Sequence, residues 1–298
     1  MNTTHDRLLK PEVLARLGNL ELIARSVVDG LLTGLHRSPN FGFSQEFAEY
    51  RSYNEGDDLR FIDWNVYART DRTYIKRFRG ETNSTVTLLL DASASMAFGE
   101  PISKLEQAKY LMAAMAYLVR LQHDALSITV FNDELRDTVP PTSKPDSLHR
   151  VLAVLERLEA GRGTELVESL STFRSLTNKR GLVFLVSDFY SDAESISTAL
   201  QPLVYGGQDV AICHVLDPEE RAPSIKTISA LQDMETDVET MVDPSYMREG
   251  YRDAIQTHCE QLQDVCRRMG VDYIALSTQD PLDEVLHQYL QFRARRER

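Results

Sequence analysis

From Thr85 onward, apolar positions fall into two alternating periods. Short runs are continuous or nearly so: VTLLLD (86–91), ALSITVFND (125–133), GLVFLVSD (181–188), DVAICHVLD (209–217) and VDYIALS (271–277). Between and after them, KLEQAKYLMAAMAYLVRLQ, SLHRVLAVLERLEA, TELVESLSTFRSLT, AESISTALQPLV, REGYRDAIQTHCEQLQDVCRRMG and PLDEVLHQYLQFRARR carry apolar residues at three- and four-residue steps. On the first of these helices Leu105, Ala108, Leu111, Met115 and Leu118 share one face. Strands of this kind are buried on both faces, and helices between them are crossovers, so the pattern predicts an α/β fold with a central, mostly parallel sheet flanked by helices. LRDTVPP is an expected edge strand, because its prolines cannot donate to a ladder. ISALQDMETDVETMV predicts a hairpin turning at Glu235 to Asp237, an insertion near 226–243.

Upstream the pattern differs. Residues 9 to about 35 show helical periodicity through Leu14, Leu17, Leu20, Ile23, Val27 and Leu31. Residues 36–84 become polar, aromatic and turn-rich, with a short alternating YIKRF, which predicts an irregular small β module. Its expected anchors are Phe41, Phe43, Phe47, Tyr50, Tyr53, Ile62 and Trp64. The expected organisation is therefore an N-terminal helix plus module over 1–84 and an α/β domain over 85–298.

Composition limits the function classes. With 298 residues, 42% of them hydrophobic, the chain can bury a full core. No apolar run approaches the roughly 18 to 20 residues of a spanning helix, and MNTTHDRLLKPEVLARL lacks the apolar core of a secretion signal, so a cytoplasmic protein, at most peripheral to membrane complexes, is expected. Cys213, Cys259 and Cys266 form no CxxC and no even-numbered framework, which disfavours zinc and disulfide scaffolding and reads as structural thiols. Residues 1–85 hold 12 Lys and Arg against 12 Asp and Glu, whereas residues 86–298 hold 21 against 33. An acidic surface of this kind disfavours nucleic acid, where phosphate neutralisation dominates affinity. Arg60 to Arg79 is a local exception, with six basic residues against Asp63 and Asp71. It reads either as a solvated face paired with nearby acids or as an anion or partner patch.

Functional groups in open parallel sheets collect beyond the carboxyl ends of the strands. Three such loops carry oxygens: Asp91, Ser93 and Ser95 in DASAS, Thr164 in GRGTEL, and Asp188 closing VFLVSD. Two carboxylates and three hydroxyls suit a hard divalent ion, Mg2+ above all, with Mn2+ and Ca2+ as alternatives, rather than zinc or copper. Two formal charges leave water in the shell, so a carboxylate from outside can bind there. Read singly, these residues are also ordinary turn formers, and Thr164 an ordinary N-cap. Catalytic motifs are missing from the sequence: no GxSxG elbow activates Ser93 or Ser95, and no GxxxxGK[ST] loop cradles phosphate.

Together, DASAS, Gly163-Thr164 and Ser187-Asp188 resemble the metal-ion-dependent adhesion site of von Willebrand factor A domains. The resemblance implies that Ser93, Ser95 and Thr164 contact the ion through hydroxyls, that Asp91 and Asp188 do so directly or through water, and that a partner supplies an acidic side chain. The segment EFAEYRSYNEGDDLRFIDWNVYARTDRTYIKRFRGETN, with HVLDPEE and PLDEVLHQYL later, is similar to the bacterial family catalogued as domain of unknown function 58. Its distinctive pieces are Gly56, Asp57, Asp58, Arg60, Ile62, Asp63, Trp64, Ala68, Arg69, Lys76, Phe78 and Glu81. Members of that family are typically encoded beside AAA+ ATPases of the MoxR type, which implies a partnership in chaperone-like maturation or assembly of other proteins. Phe189 and Tyr190 depart from the small residues many A domains carry after the second aspartate, implying a narrower or more hydrophobic rim.

Arg60, Asp63, Trp64 and Arg69 then have two readings. One is a structural junction in which Asp63 pairs with an arginine and Trp64 fills the gap beside the A domain. The other, which adds Arg72 and Lys76, is a binding surface for the ATPase. For the whole chain the leading expectation is a non-enzymatic, divalent-cation-dependent adaptor that grips an acidic group on a protein partner. The alternatives are a metal-assisted hydrolase with Asp192 or Glu165 as general base, and a scaffold with a vestigial site.

Overall fold

In the computed structural model the described residues are 10–35, 46–52, 62, 64, 66–67, 73–79, 85–161, 163, 165–177, 180–224, 229–232, 234, 239–242 and 250–296. The chain divides into two compact units, one of residues 33–83 and one joining 1–32 to 84–298. The N-terminal helical segment thus groups with the larger unit, whereas the sequence reading placed it with the module. Along its apolar stripe Leu14, Leu20, Ile23, Val27 and Leu31 are all buried.

That segment is not one continuous helix. A short helix α1 (Pro11–Leu14) runs into a 3-10 turn (Ala15–Leu17), Gly18 takes a left-handed φ of 62°, and α2 (Leu20–Leu35) begins anew. Asn19 restarts it, its Oδ1 accepting from the Leu22 amide at 3.0 Å. Leu17 falls in the break and is 43% exposed, the one member of the expected stripe that escapes burial.

The larger unit is built on a six-stranded sheet. Its strands are β3 (Thr85–Asp91), β4 (Ala125–Phe131), β5 (Leu135–Thr142), β6 (Leu182–Ser187), β7 (Asp209–Leu216) and β10 (Asp272–Ser277), in the spatial order β10-β7-β6-β3-β4-β5. All neighbours pair parallel except β5, which runs antiparallel on β4 at the edge that its prolines predict. β3 lies between β6 and β4 and every one of its residues is buried, which is why its sequence is an unbroken apolar run. The helices are α3 (Lys104–Leu121), α4 (Ser147–Glu156), α5 (Leu166–Leu176), α6 (Ala193–Tyr205), the single turn α7 (Pro218–Arg221), α8 (Gly250–Met269) and α9 (Leu282–Arg296). They pack over an apolar core that includes Leu89, Phe131, Leu170, Leu185, Leu200, Ile212 and Leu262. This is the doubly wound, mostly parallel architecture that the A-domain resemblance implies.

The expected insertion is seen as an antiparallel pair, β8 (Ser229–Gln232) with β9 (Glu239–Val242), while its turn, Glu235 to Asp237, lies outside the described residues. In the smaller unit β1 (Glu46–Ser52) pairs antiparallel with β2 (Tyr74–Arg79), with a register irregularity between Phe47 and Glu49. All three cysteines are free thiols, two buried and Cys259 half-buried.

Candidate metal centre

Because β3, β4, β6, β7 and β10 are parallel, their carboxyl ends share one edge, and the chemistry gathers there. Asp91 is the last residue of β3 and is fully buried. Its Oδ1 accepts from the Ser93 amide at 2.9 Å, bending the chain sharply away from the sheet, and its Oδ2 accepts from Ser187 Oγ at 2.6 Å. Ser93 Oγ and Ser95 Oγ lie 3.1 Å apart, so both hydroxyls face one place. Alanines between them let this loop fold tightly: Ala92 accepts from the Gly161 amide at 2.6 Å, and Ala94 begins a 3-10 turn to Ala97.

Asp188 follows directly on β6 and is 3% exposed. Its negative charge and the burial of Asp91 act together, burial being the larger, to push the Asp91 carboxyl up to about 7. Two carboxylates are thus held near one another at a cost that a cation would remove. Glu165, just beyond the GRGT loop, donates its amide to the Asn132 carbonyl at 3.1 Å, which anchors that loop's exit at the end of β4. Thr164 itself lies outside the described residues, as do Arg60, Asp63, Arg69 and Arg72.

Lys104, the first residue of α3, was not foreseen as part of this site. It is completely buried, and its Nζ donates to Asp188 Oδ2 at 2.7 Å and to Glu220 Oε1 at 2.6 Å. The Tyr190 ring covers it at 4.8 Å from the centroid, a cation–π contact. Glu220 is itself engaged: its Oε2 accepts from the Asp217 amide at 2.8 Å, completing a capping box on α7 within HVLDPEE. Asp217 in turn accepts from Thr278 Oγ1 at 2.6 Å. The sequence carried one signal for Lys104: it stands four residues before Ala108 and seven before Leu111, on the buried stripe of its own helix. Ser187 and Glu220 stood in quoted motifs, Ser187-Asp188 and HVLDPEE, but nothing local to them pointed to Asp91 or Lys104 as their partners.

The donors that are described fit a hard cation. They are all oxygen, and two are carboxylates, with burial and then the Asp188 charge raising the Asp91 carboxyl above its usual range. Counting Asp91, Asp188, Glu220 and Lys104, the buried cluster carries three formal negative charges against one positive. Among the described residues no group of three or more His, Cys, Asp or Glu converges to hold a metal. The two general-base nominees are otherwise committed or exposed. Asp192 caps α6, accepting from the Glu194 and Ser195 amides at 3.1 and 2.9 Å and from Ser195 Oγ at 2.6 Å. The Ser195 hydroxyl holds its carboxyl below the usual range, which makes it a poorer base. Glu165 is exposed.

In the smaller unit, Trp64 is 61% exposed and meets the Tyr67 ring edge-on at 6.0 Å. The expectation that Trp64 is a buried anchor is therefore corrected, while Ile62 is buried as expected. Lys76 lies in β2 opposite Tyr50.

A doubly wound sheet carrying a DxSxS loop on its first strand and a buried aspartate beyond the neighbouring strand defines a von Willebrand factor A-like domain. The family described as "Protein of unknown function DUF58" matches residues 49–286, and the chain belongs to that family. The chain is also similar to an uncharacterised protein of Mycobacterium tuberculosis, 28% identical over 277 residues, covering 90% of this chain and 86% of that protein. A shorter match is to a magnesium-chelatase 67 kDa subunit of Chlorobaculum parvum, 31% identical over 103 residues, 35% of this chain and 16% of that subunit. Among solved structures, similarity extends to an aerotolerance-related membrane protein of Bacteroides fragilis (TM-score 0.48, 16% identity, 69% of this chain and 98% of that chain). It extends also to the conserved hypothetical protein BatB of Bacteroides thetaiotaomicron (TM-score 0.45, 18% identity, 70% and 98%). No described helix is long and apolar enough to cross a membrane.

Proposed function

We propose that this chain is a non-enzymatic adaptor that binds a divalent cation, Mg2+ in the first place, and uses it to grip an acidic side chain of a protein partner. Asp91, Ser93, Ser95, Thr164 and Asp188 would hold the ion, which supplies a positive, electron-poor point at the sheet edge. The observation that carries this reading is the pairing of the Asp91 turn with the Ser93 and Ser95 hydroxyls beside a second buried carboxylate. Buried anions without enough countercharge are costly, and a cation is the economical remedy. The partner that the family resemblance implies is an AAA+ ATPase of the MoxR type, in chaperone-like maturation or assembly of other proteins. The magnesium-chelatase relative is by its name one subunit of a larger assembly, which supports an interaction role.

The test is calorimetric titration with Mg2+ together with co-purification of a MoxR-type ATPase, with and without chelator. Wild type should bind one ion and lose the partner on chelation, whereas Asp91→Ala should bind neither ion nor partner while keeping its fold. Unchanged Mg2+ binding by Asp91→Ala would refute the seat.

A further inference from the structure

A fully buried lysine is expensive unless its charge is matched, and Lys104 is matched twice. Its ammonium is hydrogen-bonded to Asp188 and to Glu220, and Tyr190 shields it from above. The three groups come from separate elements: the first turn of α3, the loop after β6, and α7. The same face of α3 continues through the apolar residues Ala108, Leu111 and Met115, all at 0% exposure, so packing against them calls for no charge at Lys104. The charge is therefore explained by what it touches.

What it touches is one of the two carboxylates of the candidate seat. Asp188 can offer an oxygen to a metal, but its Oδ2 is held at 2.7 Å by an ammonium. A second acid, Glu220, stands within 2.6 Å of the same ammonium and can hold it alone. That is the arrangement of an exchangeable counter-ion: one cation, two anchors, one of them shared with a competing ligand site.

We propose that Lys104 is a built-in counter-cation that competes with the divalent ion for Asp188, lowering the affinity of the seat and restricting it to ions of higher charge than the ammonium. This rests on the cation-dependent reading above and deepens it. Exchanging a monovalent ion for the ammonium at Asp188 gains no charge, whereas a divalent ion gains one, so the competition itself selects for valence. When Asp188 turns to the ion, the ammonium stays with Glu220, whose other oxygen caps α7. Binding at the seat is thereby coupled to the Asp217–Glu220 turn, and through Asp217 to Thr278.

The test uses the full chain and two readouts. In calorimetry, Lys104→Met should bind Mg2+ about tenfold more tightly than wild type, because a like charge beside the ion is gone. Lys104→Met with Glu220→Gln removes the ammonium and its second anchor together, keeps the formal charge of the cluster, and should also bind more tightly. In wild type, the 15N signal of the Lys104 ammonium should shift on adding Mg2+, and should not do so in Asp91→Ala. Equal or weaker binding by the double variant, or a Lys104 signal indifferent to a bound ion, overturns the competition while leaving the cation-dependent reading standing. If neither wild type nor either variant binds Mg2+, the reading itself falls, and the competition with it.

Discussion

His214 lies inside β7 at 0% exposure, with Nδ1 2.9 Å from the Tyr273 hydroxyl and its ring edge-on to Phe189 and His258. Burial, then the positive charges of His258, Arg221 and Lys104, push it down from 6.5 to about 3. Between those values the unfolded chain binds a proton that the folded His214 refuses. Stability contributed by the neutral ring is therefore complete above about 6.5 and is lost as pH falls toward about 3. The slope approaches about 1.4 kcal/mol per pH unit for one proton. Urea midpoints measured across this range should fall less steeply in His214→Gln than in wild type; equal slopes would refute the assignment. Legibility at this scale depended on distance along the chain. DASAS could be read because Asp91, Ser93 and Ser95 interact within one turn. Lys104 could not be read as a site residue, because its partners lie 84 and 116 positions away.

Elements meet at the carboxyl edge through a few specific contacts rather than through broad packing. Gly99, in the loop that leaves the DASAS turn, has φ 117°, and a β-carbon there would come within 2.9 Å of Asp217 Oδ2 and the Ile102 carbonyl oxygen. The loop thus closes on the start of α7 because it carries no side chain at that point. From the other side Thr278, just past β10, donates to the same Asp217 oxygen. Thr278→Val keeps the shape and removes the donor, leaving a buried carboxylate oxygen short of a partner. It should cost about 1–3 kcal/mol in chemical denaturation. A loss near zero would mean that water takes the place of the hydroxyl. The strands were legible because double-sided burial demands apolar runs. The break between α1 and α2 was less so: the apolar period continues across it through Leu17, and it is Gly18 and the Asn19 cap that interrupt the backbone.

For the whole molecule, the larger unit holds the acidic excess, and an ion bound to the folded state alone stabilises it by mass action. At Mg2+ about 100 times its dissociation constant, wild type should gain about 2.7 kcal/mol of unfolding free energy. Asp91→Ala should gain none, and thermal or urea unfolding with and without Mg2+ reads the difference directly. Periodicity along the chain was enough to determine the α/β class, the parallel sheet and the position of its proline-bearing edge strand, because those follow from which faces each segment must bury. The DASAS turn and the aspartate just after β6 were equally visible, being local. Only the tertiary structure decided what surrounds them. Folding brings Ser187 onto Asp91, and Lys104 and Glu220 onto Asp188, across the edge of a sheet whose strand order no local pattern encodes. Electrostatic balance in a buried site depends on every charge within a few ångströms, however far apart those residues stand in the sequence.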